Sequence, residues 1–430
     1  MNRLNSSFCL FIACCLACLA LLGIAGCSYL NIPSADDVLA KPERKQSGVS
    51  APVYNSAVIK GRLSGGRHNG TSTLVAAYRI STGDPEISGY AMIDGGPSFM
   101  LYLPEGRYHL CAFTDDNGNG IYEENEISGC FGTDEKPADI PVHEGALITD
   151  IVIKISKPRR QALKYPLPSS LNPPHPMIRQ VTQNGQIQKI YSEYFSLENA
   201  QTGYWNPSSF MKSFGAHIYL TEPYHPKKIP ILFIHGTEGS PYNWIYLYMR
   251  LDLNRYQPWF FYYPSGIRIP LAAALLNEEL GELHRRYGFQ KMVITAHSVG
   301  GLTARYFLNT YVSEKRNPFV KLLVTFATPW SGFGLADASQ TLTHKSIPVW
   351  VDLGSQSDFI KNTLSHKMPA TVRHYNFYGK NDTLAGRKAV DERVLAYATK
   401  SYGFDCTHDS ILSDRKVFAQ FNAILEKELW

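Results

Sequence analysis

The chain carries little charge and no concentrated charge of either sign. Lys and Arg number 42 and Asp and Glu 37 in 430 residues, so the formal net charge is only +5. No basic block stands out, which leaves nucleic acid without an electrostatic footprint and argues against it as a partner. Internal repeats and low-complexity tracts are also absent, which excludes solenoids and disordered arrays. Cysteine is scarcer than its total of eight suggests, because Cys9, Cys14, Cys15 and Cys18 all lie in one apolar stretch near the start. With 44% hydrophobic residues the remainder is ordinary for a globular protein, and its length allows two domains with sizeable cores.

The N-terminus bears on location. Met1-Asn-Arg3 supplies a short positive region, and Phe8 to Ala25 is an apolar run of the length expected for a signal segment. Cysteines inside such a run are part of a targeting helix, not a metal site. The run ends in Ile24-Ala-Gly-Cys27, which resembles the lipobox of bacterial lipoproteins. That resemblance implies that residues 1–26 are a signal peptide and that Cys27 becomes an acylated N-terminus anchored in a membrane. Ser28 after the cysteine resembles the sorting signal for the outer membrane of Gram-negative bacteria. An ordinary secretory signal or a signal anchor is the alternative. Residues 27–52, polar with Pro, Lys and Ser, read as a tether. An exported compartment permits disulfides; Cys111 and Cys130 flank one loop and are expected to pair, leaving Cys406 free.

From 53 to 157 the pattern is one of short strands divided by turns: Val58–Leu63, Thr73–Arg79, Ser98–Leu103, Tyr108–Phe113 and Ile148–Ile155. Such spacing predicts a small all-β sandwich. Within it, residues 115–126 fit D-x-N-x-N-G-x5-E. Side-chain oxygens of Asp115, Asn117, Asn119 and Glu126 with the carbonyl of Ile121 would supply calcium with its oxygen ligands, and Gly120 allows the sharp turn. The loop follows a strand, unlike an EF-hand, and resembles loops of extracellular β-sandwich modules with transthyretin-like or carboxypeptidase-regulatory-like architecture. The calcium would be structural, and a metal-free turn clipped by the Cys111–Cys130 bridge is the alternative. The sandwich is expected to melt separately from the C-terminal part of the chain. A Pro-rich stretch over 158–189 reads as a linker or strap.

The most informative segment is Val293-Ile-Thr-Ala-His-Ser-Val-Gly-Gly301, an apolar run leading into a turn and then the amphipathic Leu302–Leu308. Strand, sharp turn and helix with a serine at the turn, small residues two before (Ala296) and two after (Gly300), make a nucleophile elbow. Upstream, Lys228–Gly236 is a buried strand ending in His-Gly; downstream come Lys321–Pro329, then Val372–Tyr378 leading to Gly379-Lys-Asn-Asp382, then Cys406-Thr-His408 before a terminal helix. Residues 190–430 therefore resemble an α/β-hydrolase of the lipase/esterase kind, an α/β fold with a mostly parallel sheet and helices on both faces. The resemblance implies Ser298 as nucleophile, His408 as general base and Asp382 as its orienting acid, with the N–H groups of Thr237 and Val299 as the oxyanion hole. Catalysis would need no cofactor.

Those residue types suit the chemistry. A serine hydroxyl needs an imidazole to take its proton, a carboxylate fixes the imidazole's tautomer, and each oxyanion donor is worth about 3 kcal/mol. Asp352, Asp391 and Asp405 compete with Asp382; His297, His344, His366 and His374 compete with His408. His297 and His374 read as structural. The aromatic runs Tyr242–Tyr248 and Trp259–Tyr263 are either core or a wall for an apolar substrate, and Trp330–Lys367 falls where this superfamily carries a lid. The expectation is a lipid-anchored serine hydrolase acting on carboxylic esters. An acyltransferase using the same acyl-enzyme, or an envelope-binding lipoprotein with an inactive hydrolase fold, are the alternatives.

Overall fold

The computed structural model describes residues 56–65, 73–81, 85–93, 97–118, 122–133, 136–156, 184–313, 316–333, 347–366, 368–385 and 392–430. The signal segment, the tether with Cys27 and most of the Pro-rich stretch lie outside them, as do Asn119, Ile121, His344 and Asp391.

The first eight strands are β1 (Ser56–Ser64), β2 (Thr73–Arg79), β3 (Glu86–Ile93), β4 (Ser98–Pro104), β5 (Gly106–Thr114), β6 (Ile127–Cys130), β7 (Ile140–Val142) and β8 (Leu147–Lys154). They form two sheets, β4-β1-β8 and β3-β2-β5-β6, with β7 also on β5. Alternation builds the layers. Ala57, Ile59, Phe99, Leu101 and Leu103 point into a core shared with Val75, Ala77, Tyr108 and Leu110 of the other sheet. The intervening Val58, Met100 and Tyr102 point the opposite way and are buried in the main core of the C-terminal part. The β4-β1-β8 sheet is thus a middle layer, apolar on both faces. Strands β3, β6 and β7, short or polar, escape the alternation signal in the sequence. Cys111 and Cys130 stand directly opposite each other on β5 and β6 and are joined by a disulfide; Cys406 is buried and free.

The C-terminal part is a single sheet in the order β15-β14-β13-β12-β10-β11-β9, made of β9 (His217–Leu220), β10 (Ile229–Ile234), β11 (Tyr256–Tyr262), β12 (Met292–His297), β13 (Val320–Phe326), β14 (Arg373–Gly379) and β15 (Lys400–Phe404). All neighbours are parallel except β9, which runs antiparallel on β11. The described helices are α1 (Leu197–Trp205), α2 (Pro207–Phe214), α3 (Ile269–Tyr287), α4 (Val299–Tyr311), α5 (Pro348–Leu353), α6 (Asp358–Ser365), α7 (Glu392–Tyr397) and α8 (Arg415–Leu429), with a helical turn at Ile245–Tyr248. β10 is buried along its whole length, as a central parallel strand should be. Its Leu232 and Ile234 meet α3 and α4 through Leu276, Leu280 and Phe307. Ile231 and Phe233 meet α8 on the opposite face through Phe421 and Leu425. The Trp259–Tyr263 run belongs to this core, its members at most 2% exposed, so it is packing and not a substrate wall.

Charged groups join the two parts. Lys60 on β1 donates to Glu279 Oε1 at 2.5 Å, and His217 Nδ1 meets Glu279 Oε2 at 2.8 Å. Asn184 closes the network by donating to the Glu279 carbonyl at 2.7 Å and accepting the Ile218 N–H at 3.2 Å. Burial would push the Glu279 carboxyl up, but Lys60 and His217 override it and hold it below its ordinary value. Burial likewise works against the Lys60 ammonium, and Glu279 overrides it, so its pKa is raised. A second link runs from Glu144 to Arg268 at 3.0 Å and on to Asp352 at 2.8 Å.

A shared core and a buried ion pair across it change the expected unfolding. The sandwich and the C-terminal part should melt in one transition. Lys60→Met leaves a buried carboxylate underpaired and should cost about 3 kcal/mol, read from thermal unfolding by circular dichroism. The lowered Glu279 contributes stability above the ordinary carboxylate range, lost as pH falls through its depressed value; the raised Lys60 contributes below the ordinary ammonium range, lost as pH rises through its elevated value. Lys60→Met should flatten both limbs of the stability–pH curve. Two separate transitions in the unaltered protein would contradict the common core.

Candidate active site

The carboxyl ends of β12, β13 and β14 and the loops beyond β10 and β15 converge on one point. β12 ends at His297, α4 begins at Val299, and Ser298 between them has φ 52° and ψ −129°. A side chain rarely takes that conformation; here the backbone is held by Ser298 N–H donating to the Phe326 carbonyl at 2.9 Å. The helix start packs directly on the β10 backbone. A Cβ at Gly300 would lie 2.5 Å from the His235 carbonyl oxygen and 2.6 Å from that of Ile234, so only glycine fits. Ala296, two before the serine, points into the main apolar core, which explains why alanine is accepted there.

Ser298 Oγ is 2.9 Å from His408 Nε2, and His408 Nδ1 is 2.9 Å from Asp382 Oδ2. All three residues are buried. The acid is fixed from its other oxygen: Asp382 Oδ1 accepts the N–H groups of Leu384 at 2.9 Å and Ala385 at 2.8 Å. Burial pushes the Asp382 carboxyl up, but the His408 hydrogen bond and charge, with those two N–H groups, bring it below its ordinary value. It remains a carboxylate, able to accept from His408 Nδ1–H and leave Nε2 facing the serine. The histidine loop holds itself through Thr407 N–H to Ser410 Oγ at 2.8 Å. It is also held from below, where His297 Nε2 meets the His408 carbonyl oxygen at 3.0 Å.

Val299 follows the serine in the chain, and Thr237 follows Gly236 in the loop beyond β10. Val299 is the first residue of α4, where main-chain N–H groups have no partner within the helix. For Thr237 the orientation follows from the preceding peptide. The Gly236 carbonyl accepts from His235 Nδ1 at 2.9 Å and from Gly239 N–H at 3.2 Å. In a trans peptide the N–H points opposite to the C=O, so the Thr237 N–H is turned away from that turn. Gly236 lies against the serine: a Cβ on it would be 2.7 Å from Ser298 Cβ and 3.3 Å from Oγ.

The competing residues that the structure describes are occupied elsewhere. Asp352 accepts from Arg268 Nε at 2.9 Å and from Ile269 N–H at 2.7 Å, capping α3. Asp405 is exposed and pairs with Lys380. His366 is exposed, with Nδ1 near the Asn362 carbonyl, and His374 is buried against Thr325 Oγ1 at 3.0 Å. Burial lowers His235 to about 4 and both His297 and His374 to about 3, so all three are neutral scaffold groups. Sequence pattern did not single out His235 as a loop support, nor Glu238, whose side-chain partners Trp205 and Gln201 lie on a distant helix. Over the start of α4 lies an apolar cluster in which Val299 and Leu302 meet Trp330, Ile347, Val349, Trp350, Leu353, Phe359 and Tyr204. Helices α5 and α6 of the expected lid segment supply much of it.

In the sandwich, Asp115 and Glu126 are buried. Glu126 Oε1 accepts the N–H groups of Asp116 at 3.0 Å and Asn117 at 3.4 Å, and its Oε2 accepts that of Glu123 at 3.1 Å. Asn117 Nδ2 donates to Glu123 Oε2 at 3.3 Å. In this arrangement Glu126 staples the turn through the main chain. No cluster of three or more His, Cys, Asp or Glu side chains suited to a metal occurs among the described residues.

Residues 268–396 match the family model DUF915, described as an alpha/beta hydrolase of unknown function. Among similar solved structures is a Bacillus licheniformis lipase in mature form, 20% identical, covering 49% of this chain and 98% of its own, with a TM-score of 0.41. A Paleococcus ferrophilus monoacylglycerol lipase is 15% identical, covering 49% and 98%, with a TM-score of 0.38. A Pyrococcus furiosus esterase is 15% identical, covering 47% and 83%, with a TM-score of 0.36. Comparison with curated proteins gave no match. With its strand order, its elbow and the matched family model, the C-terminal part of the chain has the α/β-hydrolase fold.

Proposed function

We propose that the protein is a lipid-anchored serine hydrolase that cleaves carboxylic esters through Ser298, His408 and Asp382. The observation that carries this is the unbroken chain of contacts at 2.9 Å from Ser298 Oγ through the His408 ring to Asp382. His408 Nε2 would take the serine proton as Oγ attacks the ester carbonyl. The oxyanion would receive the N–H groups of Thr237 and Val299, and His408 would return the proton to the departing alcohol. Water activated by His408 would then release the acid; an alcohol in its place makes the same site an acyltransferase.

Ser298→Ala and His408→Ala should each lower turnover of 4-nitrophenyl esters by about 10^4 or more, without further loss when combined, because they act as a unit. Asp382→Asn should cost no more than either. Unchanged activity in Ser298→Ala would remove the reading altogether. Comparison of 4-nitrophenyl acetate, butyrate and octanoate reports acyl preference, and added alcohol diverts product to a new ester if the enzyme is a transferase.

The anchor is proposed from Ile24-Ala-Gly-Cys27 and Ser28, and with it a location on the outer membrane of a Gram-negative cell. The Cys111–Cys130 disulfide suits an exported protein. In a Gram-negative host the full chain should incorporate labelled palmitate and sediment with membranes. Cys27→Ser should abolish both, and labelling that survives it would refute the anchor.

Structural calcium at 115–126 is a second proposal, supported by the oxygen-bearing side chains of Asp115, Asn117 and Glu126 in one turn. The melting temperature of the whole protein should rise with the logarithm of free calcium, and Glu126→Ala should erase the rise. Equal destabilisation by Glu126→Ala in calcium and in chelator, with no calcium effect on the unaltered protein, would assign Glu126 to the main-chain staple alone.

A further inference from the structure

Glu238 occupies a backbone position that a glutamate seldom takes. It follows Thr237 in the loop beyond β10 and has φ 50°. It is the third residue of a tight turn closed by Gly239 N–H on the Gly236 carbonyl. A left-handed residue there is usually glycine or asparagine. Three contacts hold the glutamate in place. Its N–H donates to Ser265 Oγ at 3.1 Å. Its carboxylate accepts from Trp205 Nε1 at 2.8 Å through Oε1 and from Gln201 Nε2 at 3.4 Å through Oε2. Both donors sit one helical turn apart on α1, so one face of that helix grips both carboxylate oxygens.

The gripped residue is next to the group whose direction matters. The same turn that needs a left-handed residue 238 also fixes the Gly236 carbonyl, and with it the opposite-pointing Thr237 N–H. On the far side the loop is tied down by Ser240 Oγ donating to the Phe195 carbonyl at 2.8 Å. Trp205 in turn packs edge-on against Trp350 of α5, their ring centroids 6.5 Å apart, and its neighbour Tyr204 accepts from Trp350 Nε1 at 2.6 Å. Helix α1 therefore touches both the oxyanion loop and the apolar cover of the site.

We propose that Glu238, held by Trp205 and Gln201, is a positioning residue that aims the Thr237 N–H at the oxyanion. The inference rests on the reading of Ser298 as nucleophile and Thr237 as an oxyanion donor. A glycine would relax the backbone but release the carboxylate grip, so the loop would lose its single orientation. Phenylalanine at 205 keeps the ring and loses the N–H. A misaimed donor acts on the transition state more than on the ground state, so kcat falls while KM holds.

The test uses the purified enzyme with 4-nitrophenyl butyrate and the second-order rate of fluorophosphonate labelling. Glu238→Gly and Trp205→Phe should each lower kcat at least tenfold with KM within about threefold. The labelling rate should fall in parallel, because the phosphonyl oxygen uses the same donors. The double variant should be no worse than Glu238→Gly, and Glu238→Gln, which can still accept from Trp205, should retain more activity than Glu238→Gly. Melting temperatures check folding, and a variant that melts early is replaced by Gln201→Ala, which should show a milder loss of the same kind. A wild type that reacts with the probe, and variants that keep kcat and labelling within twofold, overturn this inference alone. A wild type that neither reacts nor hydrolyses the ester overturns the hydrolase reading and this inference with it.

Discussion

The left-handed backbone of Ser298 is the constraint around which the C-terminal part is arranged. A non-glycine residue in such a conformation costs about 1–3 kcal/mol and persists only when its surroundings fix it. The Phe326 carbonyl holds its N–H, the α4 helix starts at the next residue, and Gly300 lets that start lie on the β10 carbonyls. Two further left-handed residues stand beside it: Glu238 in the loop beyond β10 and Ala327 at the end of β13. The Ala327 N–H donates to the Phe377 carbonyl of β14 at 2.8 Å, tying the strand that carries the elbow's support to the strand that leads to Asp382. Strain at the top of the sheet is matched by hydrogen bonding from strand to strand below it.

Histidine shows how burial assigns roles. Beside His408, the buried His235, His297 and His374 are forced neutral by the apolar surroundings that make them good scaffold. His235 orients the Gly236 peptide, His297 supports the His408 carbonyl, and His374 sits among Thr325 and the strand interior. Of these, only His408 combines a serine on one nitrogen with a carboxylate on the other. Proximity in sequence therefore misleads: His297 adjoins the serine in the chain, yet it serves the histidine loop from beneath.

Much of this was legible in the chain because local pattern and global fold agree. Strand, Ala-x-Ser-x-Gly turn and amphipathic helix can be read at 293–308 since every residue type there answers a local steric demand. The strand-plus-turn at 372–382 and the histidine before the last helix follow from the same logic. The Cys111–Cys130 pairing was readable as well, since one loop separates the two. What was not legible depends on contacts distant in sequence. Strands β3, β7, β9 and β15 carry few apolar alternations, and their pairing is decided by neighbours. The middle-layer character of β4-β1-β8 looks in sequence like a continuous apolar run at Val58 and Met100–Leu103, consistent with any buried strand. Glu279 reads as one more surface acid on an amphipathic helix until Lys60 and His217 are brought to it.

The middle layer gives the sandwich a physical role that holds whatever it binds. With Val58, Met100 and Tyr102 in the same core as Met211 and Leu276, removing the sandwich would expose apolar surface on α2 and α3 and strand Glu279 without its lysine. The same helix α3 is capped at its start by Asp352 of α5, through Arg268, which also reaches Glu144 of the sandwich. One helix is therefore fixed at one end by the cover of the site and along its length by the sandwich. α3 packs beside α4, whose first residue is the one after Ser298. Through α3, the sandwich steadies the face of the sheet on which the elbow is built.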